Sequence, residues 1–215
     1  DDAFVQDKLT LEFDAQDVSG VRQVNIHLMD GNDTKKIVEL THIEGNIWSV
    51  VDLDVSDLAD GTYGIVSRAV DNLGTLRAGT GTNHGKITID NTVPTLRLIN
   101  PGELTSGTIV KPTDDTKFIA SDKNLQKVAI YKDGDFSKPY KVYDFSKEKG
   151  YADIKWLPEG KYTLRAYDKA GNVSDDFVIT IDSTAPTITI KEDSVANEEV
   201  YSKISFKLFD VGKVD

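Results

Sequence analysis

Thirty-six acidic residues stand against twenty-five lysines and arginines, with three histidines and no cysteine. Those residue types limit the chemistry that 215 residues could attempt. His27, His42 and His84 are scattered, and no serine sits in a Gly-x-Ser-x-Gly elbow. His42-Ile43-Glu44 has the spacing of a zinc-deaminase ligand and acid, but that chemistry also needs cysteines. Gly79 to Gly85 is glycine-rich, yet it leads into an alternating β-type run, not the helix N-terminus a phosphate cradle requires. The chain is therefore read as carrying no catalytic residue.

Hard-cation binding is the chemistry its acids could do. Asp14, Asp17, Asp71, Asp90, Asp122, Asp168, Asp175, Asp176 and Asp182 fall near loop ends and linkers. Calcium takes six to eight oxygens, which converging loops can supply. Asp14, Asp17, Asp71, Asp90, Asp168 and Asp182 are the set expected to hold it. Aspartate also favours turns through its own side-chain hydrogen bonds, which competes with that reading. A second candidate site is the run Tyr131, Phe136, Tyr140, Tyr143 and Phe145 around one hairpin, with more rings than a core there should need. Tyr131, Phe136, Tyr140 and Tyr143 are the ligand-binding candidates, unless they serve as half-buried cross-strand pairs.

These groups are positioned by a chain that repeats itself. Ile87-Thr88-Ile89-Asp90-Asn91-Thr92-Val93-Pro94-Thr95 returns, little changed, as Ile179-Thr180-Ile181-Asp182-Ser183-Thr184-Ala185-Pro186-Thr187. That spacing suits one β-sandwich per copy. Leu9, Leu11 and Phe13 alternate with Lys8, Thr10 and Glu12, as a half-buried strand does. Ala152, Ile154 and Trp156 alternate with Asp153 and Lys155, predicting one apolar strand face. Asp30-Gly31 and Asp133-Gly134 read as matching tight hairpin tips. Leu58-Ala59-Asp60-Gly61-Thr62-Tyr63 matches Leu157-Pro158-Glu159-Gly160-Lys161-Tyr162, and the copies then differ by two residues before the turn aspartate, which keeps strand alternation in phase. The expected domains are 1–93, lacking a clear first strand, then 94–184, then 185–215 as the opening strands of a third repeat.

The motifs Leu-x-x-Gly-x-Tyr, Arg-Ala-x-Asp-x-x-Gly and Asp-x-Thr-x-Pro resemble the bacterial immunoglobulin-like and fibronectin-III-like tandem surface repeats. The resemblance implies an all-β fold of tandem antiparallel sandwiches. It also implies structural roles: tyrosine corners at Tyr63 and Tyr162, positive-φ turns at Gly74 and Gly171, and stiffened linkers at Pro94 and Pro186. Such repeats occur in Gram-positive cell-wall proteins and beside the catalytic domains of secreted glycosidases and cell-envelope subtilisin-like proteases. The expected function is a non-catalytic spacer of a secreted or cell-wall-attached bacterial protein, with neighbouring domains of the same polypeptide as partners. The alternatives are an adhesin or module binding host glycans or matrix proteins, and accessory domains bracing a catalytic domain.

The net charge of −11 repels phosphate backbones and argues against nucleic-acid binding. No run of the roughly 18 apolar residues a membrane helix needs is present, so membrane insertion is not expected. The location expected is extracellular.

Overall fold

A computed structural model describes residues 3–78, 84–190 and 206–209. The Gly79-to-Gly85 loop singled out above lies largely outside them. The described residues form strands without helices, and they divide into two compact units. The first holds residues 1–94 together with 122–126 and 167–173; the second holds 95–121, 127–166 and 174–215.

In the first unit one sheet runs β1 (Ala3–Val5), β9 (Lys86–Ile89), β7 (Gly61–Asp71), β3 (Val21–Asp30), β4 (Asp33–Glu39), with β8 (Leu76–Ala78) also pairing β7. The facing sheet is β2 (Lys8–Asp14), β6 (Ile47–Asp54) and β5 (Thr41–Glu44). Alternation in β2 buries Leu9 and half-buries Leu11 and Phe13 against this core while Lys8, Thr10 and Glu12 face water. Leu28, Tyr63, Ile65, Ile87 and Ile89 close over them. β1 and β9 run parallel, pairing Ala3 with Ile87 and Val5 with Ile89.

The second unit repeats the plan. Its larger sheet is β12 (Thr108–Val110), β18 (Phe177–Ile181), β17 (Gly160–Asp168), β14 (Leu125–Lys132), β15 (Lys141–Asp144), and its other sheet is β11 (Gly102–Leu104), β10 (Thr95–Asn100), β13 (Lys117–Ser121), β16 (Lys149–Asp153). β12 again lies parallel to the closing strand β18. β10 and β11 have no counterpart beside β2 among the described residues of the first unit. β7 has 11 residues and β17 has 9, so the extra pair lengthens one strand without turning its faces over. Phe118 is fully buried and meets Tyr143 and Phe145 edge-on at centroid distances of 5.2 and 6.2 Å. Gly150 makes room for this packing: a Cβ there would come within 2.5 Å of the Phe145 ring. Beyond the second linker, β19 (Thr187–Ile190) and β20 (Phe206–Phe209) form a two-stranded antiparallel pair.

Both repeats close their Gly-x-Tyr segment the same way. The Tyr63 hydroxyl donates to the Ala59 carbonyl at 2.7 Å, and that of Tyr162 to the Pro158 carbonyl at 3.0 Å. Burial raises the pKa of both phenols, which keeps each a donor. Tyr63→Phe and Tyr162→Phe are each expected to cost about 1 kcal/mol in urea unfolding, the worth of one such bond. A cost indistinguishable from zero in both would show that the ring alone matters.

Two expected elements differ. Asp30 and Asp33 do bracket a two-residue loop, with Gly31 at φ 59°. Asp133 and Gly134 both take positive φ, 54° and 76°, but the chain does not return to a strand until Lys141. Asp135 then folds the loop back on itself, accepting from the Ser137 amide at 2.9 Å. The strand containing Ala152 also ends at Asp153, so Ile154 turns into the core while Trp156 lies on the following turn, 46% exposed, and is not part of an apolar strand face.

Candidate cation centre

Three of the aspartates converge. Asp90 directly follows β9, Asp122 directly follows β13, and Asp168 ends β17. All three lie within the first compact unit, which includes residues 122–126 and 167–173. Each offers a carboxylate oxygen, and these oxygens lie within 4.8 Å of one another. Two ligands on opposite sides of one calcium ion, each at about 2.3–2.6 Å, span about the same distance. Asp90, Asp122 and Asp168 are buried, exposing 2%, 9% and 1% of their surface. None of the ion pairs among the described residues involves them.

Local hydrogen bonds fix the three carboxylates in place. Asp168 Oδ1 accepts from the amides of Gly171 and Asn172 at 2.7 and 2.8 Å, closing the Asp-x-x-Gly-Asn turn in which Gly171 holds φ 100°. The Asn172 side chain donates to Asp168 Oδ2 at 2.6 Å and to the Asp90 carbonyl at 2.7 Å. Asn124 bridges the other two acids: its amide donates to Asp122 Oδ1 and its side chain to Asp90 Oδ2, both at 2.6 Å. Burial raises the pKa of Asp168; its bonds from Asn172 and Gly171 oppose that, and the charge of Asp90 adds to it. Asp122 is raised as well, first by burial and then, against the pull of the Asn124 amide, by the charges of Asp90, Asp168 and Asp60. A cluster that resists ionisation in this way is relieved either by a proton or by a cation.

The remaining expected calcium ligands do not join it. Asp14, Asp17 and Asp71 line a separate cleft of about 450 Å³ with Ser67 and His84, and they do not converge within ligand range. Each serves its own turn: Asp71 Oδ1 accepts from the amides of Leu73 and Thr75, Asp17 from Ser19, and Asp14 from Gln16. Asp182 accepts from the Thr184 amide at 3.0 Å and also stands outside the group. No other group of three His, Cys, Asp or Glu comes together among the described residues.

One pair of residues had drawn no functional reading, although the repeat places them in register. Asp60 accepts from the Asn91 amide at 2.7 Å and from the Thr92 hydroxyl. Glu159 accepts from the Ser183 amide at 3.0 Å and from the Thr184 hydroxyl. The acid before each Gly-x-Tyr thus holds the Asp-x-Thr linker that leaves the same repeat. An acid at matching positions 31 and 24 residues ahead of the linker was the available signal.

The aromatic candidates divide. Tyr131 is buried against Phe136, at 7% exposure, and offers no free face; its place among ligand-binding residues is corrected on that ground. Phe136 carries the Arg165 guanidinium 3.9 Å above its ring. Tyr140 and Tyr143, together with Lys141 and the overlooked Trp156, line a cleft of about 520 Å³.

The model of the bacterial Ig-like domain, group 3, matches residues 46–131 and 147–206, more than half of the chain. No curated protein matches the sequence. Among solved structures, the fibronectin(III)-like modules of Clostridium thermocellum CbhA are 15% identical with a TM-score of 0.39, over 84% of this chain and 89% of theirs. A tetra-tandem repeat from the extending region of a large adhesion protein is 19% identical with a TM-score of 0.31, over 87% of this chain and 51% of its own. The Bacteroides ovatus protein SGBP-B, solved with a mixed-linkage heptasaccharide, is 14% identical with a TM-score of 0.27, over 86% and 44%. The chain spans about half the length of these last two.

Proposed function

The chain belongs to the bacterial Ig-like domain family, group 3, and from that footing we propose that it is a run of non-catalytic structural repeats whose linker acid is tied down by calcium at Asp90, Asp122 and Asp168. The observation that carries the calcium reading is the convergence of three buried carboxylates with no cationic side chain paired to them among the described residues. Buried charge of one sign is costly unless it is neutralised, and an all-oxygen set suits a hard cation better than zinc. Bound there, calcium would supply charge neutralisation and a fixed geometry; the reading assigns it no reaction.

The protein's own residues set up the site. Asn124 and Asn172 hold the acids at fixed spacing, and their amide groups present either nitrogen or oxygen after a half-turn. The family is generally non-catalytic. Sandwiches linked by short proline-containing segments suit reach and presentation, which supports a spacer in a secreted or cell-wall-attached bacterial protein, its immediate partners being neighbouring domains.

Calorimetric titration of the chelator-treated full chain with calcium tests this. One site per chain is expected, weakened at least about tenfold in Asp122→Asn and Asp168→Asn, since removing one buried charge–cation contact costs at least about 1.4 kcal/mol. Asp175→Asn, at an exposed position outside the cluster, is expected to bind as the parent does. A chain that takes up no calcium, or variants that bind it unchanged, would remove the reading.

A further inference from the structure

The cleft beside the second repeat's long hairpin is independent of the calcium centre, and its chemistry is different. Tyr140 and Trp156 lie nearly parallel, 15° between planes, with centroids 6.3 Å apart. A parallel pair at that centroid distance is offset-stacked, so each ring leaves part of its face open. Both remain almost half exposed, at 45% and 46%. Isolated aromatic side chains on a surface swing between rotamers; these two do not have that freedom. The indole Nε1 of Trp156 donates to the Asp153 carbonyl at 3.0 Å, and the Tyr140 ring rests edge-on against buried Tyr162 at 5.7 Å.

Polar groups rim the same cleft. Lys141 Nζ sits 5.6 Å from the centre of the Tyr143 ring and takes part in no ion pair among the described residues. Tyr143 is half-buried, and burial raises its pKa, so at neutral pH it presents a phenol. Fixed ring faces with a few donors around them make a surface for a ligand that is apolar on its flat side and hydroxylated at its edge.

We propose that Tyr140, Trp156, Tyr143 and Lys141 form a binding platform for a neutral glycan, the rings taking the C–H faces of pyranose units and Lys141 the hydroxyl edge. The near-parallel rings match a chain whose successive sugar faces are parallel, which favours an equatorially linked glucan over a compact, branched glycan. A sulfated or sialylated glycan is disfavoured by the chain's net charge of −11. One exposed lysine does not offset it.

Cellohexaose is the probe, titrated into the full chain and checked by retardation in gels cast with hydroxyethylcellulose. Binding is expected, weakened at least about tenfold by Trp156→Ala, in line with a tryptophan at the centre of a contact surface. Trp156→Phe should recover part of it, and Tyr151→Ala, at an exposed aromatic outside the cleft, should leave it unchanged. Thermal unfolding of Trp156→Ala checks that the domain is still folded; were it not, Tyr140→Ala and Lys141→Ala carry the test. Absence of cellohexaose binding overturns the proposal, as does binding that survives all three substitutions. Retention of heparin or of a proline-rich peptide in place of the glucan would also overturn it, by assigning the cleft to another ligand.

Discussion

Calcium-free protein is expected to gain stability as the pH falls toward the ordinary carboxylate range, the reverse of the usual loss of stability in acid. The folded-state affinity of Asp122 and Asp168 for protons is raised above the ordinary carboxylate value of 3.8. Between the unfolded and folded values the native state therefore binds more protons than the unfolded chain, so this contribution to stability falls as pH rises through that window and is regained on acidification. Each proton taken up changes stability by at most about 1.4 kcal/mol per pH unit. On a unit of about 100 residues, 1 kcal/mol moves the midpoint by about 4–8 °C. Saturating calcium should invert the trend, since the ion competes with those protons and holds less well in acid. Melting curves across pH, with calcium and with a chelator, check both signs. General relief of the −11 net charge acts in the same direction, so the decisive comparison is with Asp122→Asn and Asp168→Asn, in which the acid-side gain should shrink. A parent and variants with parallel pH profiles would mean the three carboxylates do not act as a buried cluster.

Phe118→Ala should lower stability by about 3–5 kcal/mol, enough to move the second unit's midpoint by more than about 10 °C. Phe118 is fully buried and its ring meets Tyr143 and Phe145, the first of these reaching it from the opposite sheet. Gly150 seats the Phe145 ring on the strand next to Phe118's own, so neighbouring backbone limits how far the site can collapse. Tyr151→Ala, whose ring is 74% exposed, serves as the comparison and should cost no more than about 0.5 kcal/mol. A loss under about 1 kcal/mol in Phe118→Ala would show that the two sheets repack freely around the hole.

The strands were legible because alternation is a local property: the apolar and polar positions of Lys8 to Asp14 can be read from seven letters. The tyrosine corners and the positive-φ glycines were legible for the same reason, each depending on residues within a few positions. The cation centre was only half visible. Asp90 and Asp168 can be named from their motifs, but Asp122 stands outside the expected ligand set, because nothing in its neighbourhood marks it apart from other turn acids. Its distinction lies in meeting residues 32 before it and 46 after it, a long-range fact. Asp14, Asp17 and Asp71 look the same in sequence and likewise serve their own turns, but their oxygens do not converge. Trp156 was misplaced because a strand that stops at Asp153 still continues its alternation in letters, while the turn after it no longer obeys a period of two.

The parallel pairing of β1 with β9 has a consequence for a chain held at both ends. The first described strand and the strand that leaves the repeat lie side by side and point the same way, registered over Ala3–Ile87, Phe4–Thr88 and Val5–Ile89. Tension applied to the ends must slide one along the other, loading their cross-strand hydrogen bonds together instead of opening them one after another as in a peeled hairpin. Resistance to extension in this repeat is thus concentrated in a patch three residues long, far smaller than the core whose burial sets its resistance to heat.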